Sequence, residues 1–99
     1  MNLANEKSPK IELFEFQNWG VYKKSIQLIE DIQDISSNLP KVGLENIRDQ
    51  LRRASQSIPL NIAEGCSRFG RREKINFLRI SRGSLFECVA GIDILKKGS

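Results

Sequence analysis

Gln50 to Gly65 reads QLRRASQSIPLNIAEG. Stepping 100° per residue through this stretch and the residues just before it places Leu44, Ile47, Leu51, Ala54, Ser55, Ile58 and Ile62 on one stripe about 100° wide. That spacing predicts an amphipathic helix over 44–65 with one face in a core, ending at Gly65 as its C-cap. Pro59 falls inside the stripe. A proline there removes an amide donor and presses its ring on the carbonyl of Ser55, so a bend near Ser55 or a split into two pieces is expected.

The flanking sequence supplies two more helices. Asn18 is a plausible N-cap for a helix over 18–39, in which Val21, Leu28, Ile32, Ile35 and Leu39 lie within about 40° of one another. Ile29, Tyr22, Ile26 and Trp19 widen that apolar arc to roughly 200°, while Lys23, Lys24, Gln27, Glu30, Asp31 and Asp34 fill the other side. Leu39-Pro40 stops the helix, because proline disfavours a helical residue before it. A third helix over 71–97 spreads Ile75, Phe77, Leu78, Leu85, Phe86, Val89 and Ile92 over half its circumference, with Ser81 and Cys88 on the same side. Residues 1–17 show no sustained period and form an arm whose Phe14 and Phe16 can dock on the body. The organisation is thus an arm, 1–17, and a helical domain, 18–99, of all-α, antiparallel bundle class. An ordinary surface helix needs only about 100° of apolar face. The wide arcs of the first and third helices therefore call for further neighbours, and an oligomer is expected.

A chain of 99 residues holds one domain. Its 39% hydrophobic and 28% charged residues exclude a disordered or collagen-like chain. No apolar run reaches the roughly 18 residues of a membrane span, and residues 1–10 lack the apolar stretch of a signal peptide, so a cytoplasmic protein is expected. Two cysteines and no histidine leave too few soft ligands for a zinc site and remove the commonest general base. No cofactor, no metal and no enzymatic activity are expected.

Charge is concentrated in the middle of the chain. Residues 48–82 carry nine Lys/Arg against three Asp/Glu, a surplus of six where the whole chain has four. Most of the nine are arginines, whose planar fork suits phosphate. Arg48, Arg52, Arg53, Arg68, Arg71, Arg72 and Lys74 are the candidate nucleic-acid-binding residues, drawn together as one patch across an end of the bundle. Against this, Glu45 and Asp49 can pair with Arg48, Arg52 and Arg53 along the helix. Arg82 sits within an apolar arc, where it snorkels or meets an acidic partner. Trp19, Tyr22 and Phe69 are the side chains able to stack on bases, although Trp19 and Tyr22 share the apolar arc of their helix and fit a core or interface better. Binding by such a patch is electrostatic and poorly sequence-specific.

Other residues carry structural expectations. Asn61 and Glu64 follow Pro59 and can satisfy backbone groups the proline leaves unpaired, or reach the neighbouring helix. Gly83-Ser84 in mid-helix reads as a packing notch for a close backbone. Cys66 and Cys88 lie some 25 Å apart in helical rise and read as reduced packing residues.

The motif Gln50 to Ala54, then Ser57-Ile58, Asn61 to Gly65, Phe77-Leu78, Gly83 to Leu85 and Glu87 resembles a small bacterial four-helix-bundle family over roughly Phe16 to Lys97. That family comprises proteins encoded in intervening sequences of large-subunit ribosomal RNA genes and the accessory variability determinants of diversity-generating retroelements. The resemblance makes Ser57, Ile58, Asn61, Ile62, Glu64, Gly65, Gly83, Ser84 and Glu87 structural motif residues. It implies a homopentameric ring, with a basic surface taken to bind nucleic acid, RNA or DNA, in the retroelement branch, whereas no activity is established for the ribosomal-intervening branch. It leaves open a scaffold that recruits a protein partner, such as a neighbouring reverse transcriptase, with no nucleic-acid contact. Two departures stand out: Ser81 replaces a small apolar residue, and only three helices are evident before Ser99, where the family's fourth would begin.

Overall fold

The computed structural model describes residues 14–38 and 42–98. They form a short 3₁₀ turn, Glu15–Asn18, and three α-helices: α1, Gly20–Ser37; α2, Glu45–Cys66; and α3, Arg71–Gly98. No strand occurs among the described residues, so the class is all-α as the periodicity predicts. The first thirteen residues of the arm and the Leu39-Pro40 stop lie outside the described residues. Among the described residues no helix is long and apolar enough to cross a membrane.

The central helix keeps its predicted face. Leu51, Ala54, Ser55, Ile58 and Ile62 are all buried, and Pro59 with them. The expected split does not occur, because α2 runs unbroken through Pro59. Packing on the flanking helices outweighs the roughly 3 kcal/mol that an interior proline costs an isolated helix. Gly65 is not the cap; α2 continues to Cys66, and Ser67 caps it in a right-handed conformation. The glycine serves contact instead, since a Cβ at position 65 would lie 3.2 Å from both the Lys74 carbonyl oxygen and Phe77 Cβ. Likewise Asn18 closes the 3₁₀ turn, and Trp19 stands at the N-cap of α1.

Contacts fix both helix pairs as antiparallel. Gly65 meets Lys74 and Phe77, Ser81 Oγ donates to the Ile58 carbonyl at 2.9 Å, Ser84 Oγ donates to Ser57 Oγ at 2.8 Å, and Gly91 faces Leu51. At the far end of α1, the Ser36 carbonyl accepts from Arg48 Nε at 3.0 Å, while Trp19 stands beside Ala63 and Cys66 at the other end of α2. The arm's aromatics dock as expected: Phe16 packs on the core and meets Tyr22 edge-to-face at 5.1 Å, and Phe14 stacks on Phe16 at 6.0 Å.

The inner face of α3 holds Ser81 and Cys88 as expected but differs in its bulky residues. Ser81, Ser84, Cys88 and Leu95 are the residues buried there, with Gly91 beside Leu51, whereas Leu78, Leu85, Phe86 and Val89 are exposed. Small side chains bring the α2 and α3 backbones close, which turns the bulky neighbouring strip outward. Of the expected Gly83-Ser84 notch, Ser84 is buried against Ser57 of α2, whereas nothing lies within 4 Å of a Cβ built at Gly83, and Gly91 is the glycine of close approach. Ser81, the departure from the family pattern, uses its hydroxyl to bridge the helices. Cys66 and Cys88 are both free, and burial pushes the Cys88 thiol above its ordinary pKa, helped by Glu87.

Among the described residues the α1 backbone lies close to α2 and the 3₁₀ turn but not to α3. Only Ser25 and Ile32 of α1 are buried, and Trp19, Val21 and Ile26 stay exposed. The arrangement is correspondingly open, with a Cα radius of gyration of 15.8 Å against about 13 Å for a compact chain of this length.

Candidate nucleic-acid interface

The seven basic candidates do not make one patch. Because α2 is continuous, its rise of 1.5 Å per residue sets Arg52 about 24 Å from Arg68, so the cluster divides between the two ends of the helix. At the first end, Arg48, Asp49 and Arg52 line a cleft with Ile32, Ser36 and Glu45. Arg48 is half-buried and ties α2 to the last turn of α1 through the Ser36 carbonyl. Arg52 and Arg53 both grip Asp49, the latter Nη1 to Oδ2 at 2.6 Å, as the one-turn spacing predicts. Hydrogen bonds from Arg52 first and Arg53 second hold the Asp49 carboxyl below its ordinary range. This end keeps a net positive charge, but one carboxylate already engages two of its guanidinium groups.

At the other end, Arg68 is also committed. Its Nη2 lies 2.6 Å from Glu64 Oε2, and its guanidinium stands 4.9 Å over the Phe77 ring. Glu64 thus meets a side chain rather than a backbone group freed by Pro59. Asn61 turns back one turn, donating to the Ser57 carbonyl and Ser57 Oγ at 2.8 Å each. With Ser84 this makes a small polar seam beside a cleft lined by Gln50, Arg53 and Glu87. Lys74 is half-buried, with Nζ 3.5 Å from the Cys66 carbonyl oxygen.

What remains is on α3. Arg71, Arg72, Arg79 and Arg82 are exposed and form no ion pair among the described residues. At 100° per residue all four fall within about 100° of arc, over roughly 16 Å of helix. Arg82 meets no acidic partner there. Arg79 was absent from the sequence-based set, and its signal was available: seven residues separate Arg72 from Arg79 and three separate Arg79 from Arg82, the spacings of one helix face. The strip next to this face, about 80° round the helix, carries Leu78, Leu85, Val89 and the half-buried Ile92 in a three-and-four repeat. Arg82 stands on the border between the two.

The aromatic candidates separate in the same way. Tyr22 is half-buried against Phe16. Trp19, with Phe14 and Phe16, borders an apolar cavity of about 530 Å³ that the last turn of α2 and Lys74 and Leu78 of α3 also line. Phe69 alone stands clear of the body. Among the described residues no three His, Cys, Asp or Glu side chains converge as metal ligands.

The chain belongs to the 23S rRNA-intervening sequence protein family, whose model matches residues 17–99. No curated protein and no solved structure matches it.

Proposed function

We propose that this family member is a non-enzymatic cytoplasmic protein that assembles with copies of itself, five by the resemblance, and holds RNA or DNA electrostatically on the arginine face of α3. The observation that carries this reading is the set of four exposed arginines, Arg71, Arg72, Arg79 and Arg82, with no acidic partner among the described residues. Guanidinium groups in that state offer both forks to phosphate, and neutralising phosphates releases counterions without regard to base sequence. Assembly rests on the adjoining strip of Leu78, Leu85 and Val89, large apolar side chains that one protomer leaves in water. Each added copy repeats the arginine face, and linked weak contacts raise the apparent affinity.

The test is a pair of charge reversals. Labelled RNA retained at about 50 mM salt should be released by about 200 mM. Arg79→Glu with Arg82→Glu should abolish retention, because two phosphate contacts become repulsive. Arg52→Glu with Arg53→Glu should leave most of it, since those forks already serve Asp49. If both double variants bind as the parent does, the α3 face is not the site. Should the parent retain no nucleic acid at low salt while an acidic protein co-purifies, the scaffold alternative replaces this reading. The same apolar and cationic face of α3 would then serve that protein.

A further inference from the structure

The connection between α2 and α3 lifts one aromatic ring wholly into solvent. Phe69 is 101% exposed, more than any other large apolar side chain described. Its backbone is not loose. Ser67 N–H donates to the Ala63 and Glu64 carbonyls at 3.1 Å, Ser67 Oγ donates to Glu64 O at 2.6 Å, and Arg68 N–H donates to Gly65 O at 3.2 Å. On the far side Lys74 N–H donates to Gly70 O at 3.1 Å, so the apex is pinned between two helix ends. Nor does the preceding arginine fold over the ring, because Arg68 is held by Glu64 and lies over Phe77. Immediately after the ring come Arg71 and Arg72, exposed and without ion pairs among the described residues.

An apolar ring held out in water by a hydrogen-bonded turn and flanked by uncommitted guanidinium groups is the composition of a base-stacking platform: the ring takes the flat face of a base and the arginines take the neighbouring phosphates. An A-form duplex keeps its base faces stacked inside and offers such a ring nothing. We propose that Phe69 stacks on an unpaired base, with Arg71 and Arg72 on the flanking phosphates, so that the preferred ligand is single-stranded nucleic acid. This rests on the phosphate-binding reading of α3. A strand leaving the apex along α3 would meet Arg79 and Arg82 within roughly 16 Å.

The experiment compares a short oligouridine with an RNA duplex of equal length, both at about 50 mM salt, on the full chain. The parent should prefer the single strand. Phe69→Ala should weaken single-strand binding on the order of ten- to a hundredfold, as loss of one stacked base does, and shift duplex binding by less than about twofold. Phe69→Trp should retain single-strand binding, while Phe69→Leu, apolar but without a planar ring, should behave like Phe69→Ala. The proposal is overturned if Phe69→Leu binds like the parent, if Phe69→Ala weakens both ligands equally, or if it lowers the assembly mass in light scattering, which would seat the ring in another copy. Parent binding to both ligands with no effect at Phe69 removes the stacking and leaves the phosphate reading standing. Binding to neither removes the phosphate reading itself.

Discussion

Along its inward face α3 presents Ser81, Ser84, Cys88, Gly91 and Leu95; along its outward face it presents Leu78, Leu85, Phe86 and Val89 beside four arginines. The bulkier residues are on the wetter side. Small atoms let two backbones close up and give a hydroxyl such as Ser81 a partner across the gap, whereas bulk would hold the helices apart. A strip of large side chains left outside is then surface in reserve for a second contact. The difference teaches that burial within one protomer and apolar content are separate properties of this helix, and each can be attacked by itself.

The largest effect is expected from Leu85→Asp, which puts a charge into the outward strip at a side chain 42% exposed in the protomer. Mass by light scattering should fall to that of single copies, because an unpaired carboxylate is not tolerated in an apolar contact. Helical circular dichroism should survive, the residue being outside the core. Loss of helicity would place Leu85 inside and erase the distinction between the faces. Next comes Gly91→Ala on the inward face. Alanine ordinarily improves a helix by about 1 kcal/mol over glycine, but here the new Cβ would stand 2.7 Å from Leu51 Cδ2 and 2.8 Å from Cγ. Leu51 is 2% exposed and has nowhere to go, so overpacking of about 1–3 kcal/mol wins. Thermal unfolding should drop by several degrees, at about 4–8 °C per kcal/mol. The smallest effect is Gly83→Ala, the same change on the open side. With nothing within 4 Å of its Cβ, it should raise stability by about 1 kcal/mol. Equal signs for the two glycine variants would break the comparison.

The buried face of α2 was readable in the sequence, since Leu51, Ala54, Ile58 and Ile62 repeat at helical spacing and all of them are buried. So was the pairing of Asp49 with Arg52 and Arg53, because both partners lie one turn away on the same helix. The inner face of α3 was not readable in that way. Periodicity weights hydrophobic bulk, and a seam built of serine, cysteine and glycine carries almost none. Gly83 and Gly91 are indistinguishable until α3 is set in register against α2, which is tertiary information. The two-ended division of the arginines turned on whether Pro59 breaks α2. Local propensity favours a break, and packing on both neighbours overrides it. Arg79 is masked in the sequence by its neighbours Leu78 and Ile80, which read as part of an apolar arc.

Among the described residues the α1 backbone approaches α2 but not α3. The buried core nevertheless joins Ile32 of α1 to Cys88 and Leu95 of α3, so α1 is held through α2 along its backbone and through the core at one side chain. Detaching α1 forfeits the Ser36–Arg48 tie and the Ile32 contacts but leaves the serine bridges between α2 and α3 whole. Loosening α1 would bare the flank of α2 while the serine hydrogen bonds of the arginine-bearing hairpin remain.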